Sequence, residues 1–247
     1  MNTSNFIELK TKSENIIKKG WIECPMKNSG NVGLLFERLL GLTNHNFSIS
    51  DYDGIEIKTK IKNSIPKITL FNATPDSYLY PIKRIYETYG YPDCTNRNFK
   101  AFNLSFCTSR RTYVNKKTYA KLYVDRKNKQ VILKFFNENN RVIDNETAWS
   151  FKMLEEKLDI KLKYLFLMHA ERKRLQGKCL CRYLKFNFFR YDGFDSFLRG
   201  LEEGYIKVTF AINTFKSGKR YGQIHDHGTA FDIDMNYIQN VFTPMDI

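Results

Sequence analysis

Apolar and polar positions alternate along the chain with two different periods. Residues 31–41, NVGLLFERLLG, carry apolar side chains at 32, 35, 36, 39 and 40. That spacing predicts a helix, with Asn31 as its cap and Gly41 as its stop. GIEIKTKIK at 54–62 instead alternates residue by residue, which is the period of a strand. ITLFNATP at 68–75 reads as a strand ending in a turn. KLYVDRKNKQVILKFF at 121–136 reads as two strands joined by a polar turn. A helix is expected over 150–158, a buried strand over 161–170, and a short helix ending near Glu203, capped by Asp192 or Asp195. KVTFAINTF at 207–215 is a strand, SGKRYGQ a basic turn, and IHDHGTAFDI at 224–233 a strand returning from it. Interleaved strands and helices predict the mixed α/β class with a partly antiparallel sheet.

Apolar residues make up 42% of the 247 residues, enough for a substantial core, which excludes global disorder. Forty Lys and Arg against 26 Asp and Glu leave a net charge of +14. Such a surplus implies a polyanionic partner, nucleic acid or an anionic surface. No apolar run approaches the roughly 18 residues of a membrane span, and no basic amphipathic helix supports membrane-surface binding. The opening MNTSNFIELKTK lacks the apolar stretch of a signal peptide, so a cytoplasmic location is expected. The five cysteines are irregularly spaced, which predicts reduced thiols rather than disulfides. The Cys179–Cys181 pair has no second Cys/His pair near it to complete a zinc site.

The chemically informative stretch is Asp51-Tyr-Asp-Gly-Ile-Glu56-Ile57-Lys58. Glu56 and Lys58 stand two apart on the predicted strand and share a face. Asp51 arrives from the turn before it, and the Ile57 carbonyl is a candidate third oxygen. Hard Mg²⁺ is held by one or two carboxylates plus water and substrate phosphate. Lys58 would orient or help deprotonate an attacking water and offset charge at phosphorus. The plain alternative is a solvated strand with alternating charges. Glu37, on the apolar helix between Phe36 and Leu39, is either a further acid of the site or a surface ion-pair partner.

His225-Asp226-His227 is the second dense constellation. The two histidines share one face of the predicted strand and Asp226 takes the other. A His-x-His zinc site, readout of base edges, and a polar turn beside Gly228 all remain open from spacing alone. The turn Lys216-Ser-Gly-Lys219-Arg220 would grip phosphates, and Arg110-Arg111, Lys116-Lys117 and Arg172-Lys173-Arg174 add further basic patches.

GNVGLLFERLLG, SDYDGIEIKTK and ITLFNATP resemble the catalytic half of restriction endonucleases of the MvaI/BcnI type. That family belongs to the PD-(D/E)xK superfamily and is related to the mismatch-repair nickase MutH. The resemblance continues through 148–171, GLEEGYIKV at 200–208 and SGKRYGQIHDHGTAF at 217–231, and is weak over 76–120. It implies a restriction-endonuclease-like mixed β-sheet core with flanking helices and two lobes around a DNA cleft. The expected lobes are residues 1–172, catalytic, and 173–247, DNA-recognising. By resemblance Asp51 and Glu56 bind Mg²⁺, Lys58 is the catalytic lysine and Glu37 the helix-borne acid. The implied reaction is hydrolysis of double-stranded DNA to 5′-phosphate ends by a monomer cutting one strand at a time. A cognate DNA methyltransferase is expected in the same cell. His225, Asp226, His227 and Thr229 fall in the recognition lobe, which decides that constellation for DNA.

The chain departs from the MvaI-type pattern in that lobe. Thr209 and Ala211 stand where that pattern has an acid and an arginine, and Asp232 where it has arginine. Arginine is the usual bidentate reader of guanine. A target other than CC(A/T)GG is therefore expected, with Asp232 accepting from base amino groups, or Lys219 or Arg220 supplying the missing donor. Three other readings make distinct predictions. A MutH-like nickase would leave plasmid nicked and never linear. A non-catalytic basic DNA-binding protein would be indifferent to Asp51→Ala. A zinc hydrolase built on His225 and His227 would carry stoichiometric zinc.

Overall fold

The computed structural model describes residues 3–24, 30–42, 50–52 and 54–247. In chain order its elements are α1 (Thr3–Lys18), β1 (Ile22–Glu23), α2 (Gly30–Leu39), β2 (Ile55–Ile61), β3 (Lys67–Asn72) and α3 (Pro81–Tyr89). There follow β4 (Tyr91–Pro92), β5 (Lys100–Phe106), β6 (Thr112–Tyr113), β7 (Thr118–Asp125), β8 (Gln130–Asn137) and β9 (Val142–Ser150). The remainder is α4 (Phe151–Lys161), β10 (Tyr164–Leu175), β11 (Lys178–Tyr191), α5 (Phe194–Glu202), β12 (Ile206–Thr214), β13 (Ile224–Asp226), β14 (Ala230–Asp234) and β15 (Phe242–Met245). A 3₁₀ turn, Met235–Asn240, precedes the last strand.

Two compact units form. The first takes the described parts of residues 1–68, 157–192 and 238–247. Its sheet runs β1-β11-β10-β2, with β15 on β11. The β2–β10 pair is parallel, and one face of both strands is apolar. Ile55, Ile57, Phe166 and Met168 from that face pack with Val32 and Phe36 of α2 and with Phe6, Leu9 and Ile16 of α1. The Tyr183 hydroxyl donates to the Val32 carbonyl at 2.7 Å, fixing α2 against the sheet.

The second unit takes residues 69–156 and 193–237. It holds one sheet of order β3-β14-β12-β5-β4, with β13 also on β12, and another of order β6-β7-β8-β9. Trp149 and Phe210 are fully buried in it. The single boundary expected after residue 172 falls within β10, because β11 turns back to pair with β10 over its whole length and stays in the first unit.

Three local expectations are corrected. The helix read at 31–41 begins at Gly30, so Asn31 lies inside it rather than capping it. Neither Asp192 nor Asp195 caps α5: Gly193 holds that position at φ 91°, accepting from the Ser196 hydroxyl at 2.6 Å. Asp192 instead accepts from Thr243, and Asp195 pairs with Arg126. The strand read at 224–233 is interrupted at Gly228, whose φ of 96° breaks extended geometry between β13 and β14. All five cysteines are free thiols, and burial pushes that of Cys181 up to about 11. No helix among the described residues is long and apolar enough to cross a membrane.

Candidate active site and recognition face

In the first unit, β2 is the strand at the end of the sheet path, yet Glu56 is only 1% exposed. The solvated-strand alternative therefore fails at this residue. Lys58 lies two residues on and forms an ion pair with Glu56 Oε1. A second ammonium, Lys161 at the end of α4, stands 3.5 Å from the same oxygen. Glu56 Oε2 is buried and has no hydrogen-bond partner. Burial raises the Glu56 carboxyl above its usual value, Lys58 opposes that shift, and Asp51 adds to it.

Asp51 is positioned by a tight turn. Tyr52 and Ile55 bridge across Gly54, whose φ of 91° suits glycine alone, and the Gly54 amide donates to the Ser50 hydroxyl at 2.9 Å. Asp51 Oδ2 then accepts the Ile57 amide at 2.9 Å, which ties the turn to the strand. Ile57 thus enters the site through its N–H, while its side chain faces the core. Asp51, Glu56 and Lys58 are brought together. Glu37 sits near Gly33 and Thr59, because a Cβ on Gly33 would lie 4.0 Å from Glu37 Oε1 and 3.8 Å from Thr59. By strand alternation Thr59 takes the face opposite to Lys58.

In the second unit the predicted recognition residues separate by depth. Lys207, Thr209, Ala211 and Asn213 share one partly exposed face of β12. Asp232 is 3% exposed, and both its oxygens are taken, by the Thr69 hydroxyl at 2.6 Å and the Thr209 hydroxyl at 2.8 Å. Ser105 lies 2.8 Å from Thr209. Thr209 spends its only proton on Asp232, so Ser105 is the donor to it. The expectation that Asp232 meets bases from the surface is corrected by its burial beneath these two hydroxyls. Thr229 is fully buried as well, so it too is not a surface group.

His225 and His227 stand together with ring centroids 3.8 Å apart. His225 stacks on Phe215 at 3.9 Å, and the Arg220 guanidinium lies 4.2 Å over that same ring. Partial burial, then His227 and Arg220, hold the His225 imidazole below its usual value. Asp226 accepts the Gly228 amide at 2.9 Å, which shapes the turn. Among the described residues no three His, Cys, Asp or Glu side chains gather as metal ligands, so the zinc reading of this cluster finds no third ligand. Lys219 and Arg220 are exposed. Lys216 is instead paired with Asp93 at 2.8 Å, which anchors the turn to the 93–96 loop.

Two groups escape a reading of the sequence alone. Lys161 stands 105 positions from Glu56, and nothing in local spacing links them. Asn103 donates through Nδ2 to Asn213 Oδ1 at 2.8 Å across 110 positions, within the stretch where the resemblance is weak.

The chain matches the model of the MvaI/BcnI restriction endonuclease family over residues 10–242. Among solved structures it is similar to the restriction endonuclease MvaI–cognate DNA substrate complex, with TM-score 0.90 and 30% identity over 99% of this chain and 98% of that one. It is also similar to MvaI in the absence of DNA, with TM-score 0.63 and 31% identity over 98% and 96%. Among curated protein sequences, none matches.

Proposed function

Because the chain belongs to the MvaI/BcnI restriction endonuclease family and is a site-specific deoxyribonuclease, we propose that its first unit cuts double-stranded DNA with Mg²⁺ while its second reads the target. The carrying observation is the set Asp51, Glu56 and Lys58, with a buried, unpartnered oxygen on Glu56.

Those residues fit a hard divalent cation. A buried carboxylate oxygen without a donor is costly and seeks either a proton or a cation. Asp51 supplies a second oxygen, and water and phosphate complete the shell of an ion held by two carboxylates. When bound, Mg²⁺ polarises a phosphoryl oxygen and acidifies water. Lys58 presents a positive charge beside Glu56, where it offsets charge developing on the phosphate and orients the attacking water. Lys161 also holds Glu56 Oε1, which leaves Oε2 for the ion. Glu37, beside Thr59 on the other face of β2, supports the strand from α2 rather than joining these two carboxylates.

The recognition role falls to the exposed His227, Asp226, Lys219 and Arg220 and to the partly exposed His225, Thr209 and Ala211. Asp232 and Thr229 act from beneath by fixing Thr209 and the turn, and Lys216 by anchoring the basic loop. With no arginine at 211 or 232, the target differs from CC(A/T)GG. The enzyme acts as a monomer in the cytoplasm beside a cognate methyltransferase.

Plasmid digestion with Mg²⁺, followed by sequencing of the ends, tests this reading. Discrete fragments with one common flanking sequence and 5′-phosphates are expected, preceded by nicked circle. Nicked circle that never becomes linear would favour the nickase, and a CC(A/T)GG flank would refute the altered target. Lys161→Gln should raise the Mg²⁺ concentration for half-maximal cleavage by about 10- to 100-fold, as loss of an outer partner of a metal ligand does. Unchanged metal dependence would show that Lys161 is a bystander. Replacing Lys219 and Arg220 together by alanine should flatten the plot of log affinity against log salt by about 0.9 for each phosphate that the pair neutralises. An unaltered slope would place both side chains off the DNA.

A further inference from the structure

We propose that the Asn103–Asn213 amide pair is a specificity element that reads adenine in the target duplex. The inference rests on the nuclease reading and deepens it.

One face of the β3–β14–β12–β5 sheet, partly exposed along β12, holds two kinds of polar group. The first is the row Thr69, Asp232, Thr209 and Ser105, on four neighbouring strands. Its hydroxyl protons all run inward toward the Asp232 carboxylate, so the row shows lone pairs and no donor. The second is the asparagine pair, further along the same face. The register sets Asn103 opposite Ala211 and Asn213 opposite His225. Ala211 is small, which leaves both amides uncovered from that side. Asn103 is exposed and Asn213 partly exposed.

The pair's mutual hydrogen bond leaves one whole amide oxygen and one whole amide nitrogen unengaged by it. Asn103 Nδ2 donates to Asn213 Oδ1, which leaves Asn103 Oδ1 as an acceptor and Asn213 Nδ2 as a donor. Rotating both amides by half a turn exchanges the two roles and keeps one acceptor and one donor on offer. The Asn103 main chain is held by Tyr91, whose hydroxyl accepts the Asn103 amide at 3.0 Å, so the pair is built onto a fixed strand.

One acceptor beside one donor complements a single base edge in the major groove. Adenine shows the N7 acceptor next to the N6 amino donor. Guanine shows two acceptors, N7 and O6, and would set oxygen against oxygen. Cytosine offers only its amino donor and thymine only O4 beside a methyl group. Asparagine reads adenine in this way with one side chain, and here the two functions are divided between two.

The test is selection of bound duplexes from a randomised library in Ca²⁺, which reads binding and stands apart from cutting. The wild type is expected to enrich a site containing adenine at one fixed position. Asn213→Ala and Asn103→Ala should each relax that same position by on the order of 10- to 100-fold while keeping the other positions. Asn213→Asp keeps the size and removes the donor, so it should shift that position toward cytosine. Replacing the adenine by 7-deazaadenine should weaken the wild type about as much as Asn213→Ala does, and should leave that variant unaffected. Circular dichroism melting confirms that each variant folds. A bound site without adenine, no enrichment, or an analogue effect equal in wild type and variant would overturn the assignment. The nuclease reading itself stands or falls on the separate plasmid digestion.

Discussion

Glu56→Gln and Lys58→Ala proteins are expected to bind duplex DNA and leave it uncut. Glutamine preserves the shape of the buried side chain but removes the charge that Lys58 and Lys161 now share. It also replaces an oxygen that has no protein donor. Single-turnover cleavage should fall by about 10²- to 10⁴-fold in each variant, the range for loss of a positioned proton-transfer or charge-stabilising group. Affinity for the same duplex, measured by fluorescence anisotropy in Ca²⁺, should change far less. A variant that cuts at the wild-type rate would remove its residue from the chemistry.

The second large effect is on stability. Trp149 is fully buried, packs against Phe210 and Phe231, and donates its indole N–H to the Ala73 carbonyl at 2.8 Å. Trp149→Ala opens a cavity and strands that carbonyl, so a loss of about 3–5 kcal/mol is expected. The Ala73 amide in turn holds the Thr229 carbonyl at 2.9 Å, at the turn leading into β14. The damage should therefore reach the recognition face as well as the core. Denaturant unfolding measures it. A midpoint within error of wild type would mean that the second unit does not depend on this side chain.

How far the sequence alone reveals this arrangement depends on sequence distance. The catalytic set spans eight residues, and its charges interrupt an apolar alternation, so Asp51, Glu56 and Lys58 are readable as a group. Helix α2 and strands β3, β7, β8 and β12 follow their apolar periods and are readable too. Helix α1 and strand β11 are not. Phe6, Leu9 and Ile16 of α1 keep helical spacing, but a buried Ser13 and an exposed Ile7 blur the apolar stripe. In β11 the apolar residues occupy both faces, so neither period stands out. Lys161 reaches Glu56, and Asn103 reaches Asn213, only because distant strands and helices fold onto each other. Asp232 looks like a surface reader in the sequence. Its burial follows from the hydroxyls of β3 and β12, which the sequence places 163 and 23 positions away.

Binding of Mn²⁺, a paramagnetic ion that accepts the same oxygen ligands as Mg²⁺, tests the core of the account without requiring turnover. Electron paramagnetic resonance titration of the protein–duplex complex should show one or two tightly bound ions for the wild type. Asp51→Asn combined with Glu56→Gln should lose them while the duplex stays bound. Equal Mn²⁺ binding by wild type and double variant would contradict the assignment of the metal site to these two carboxylates.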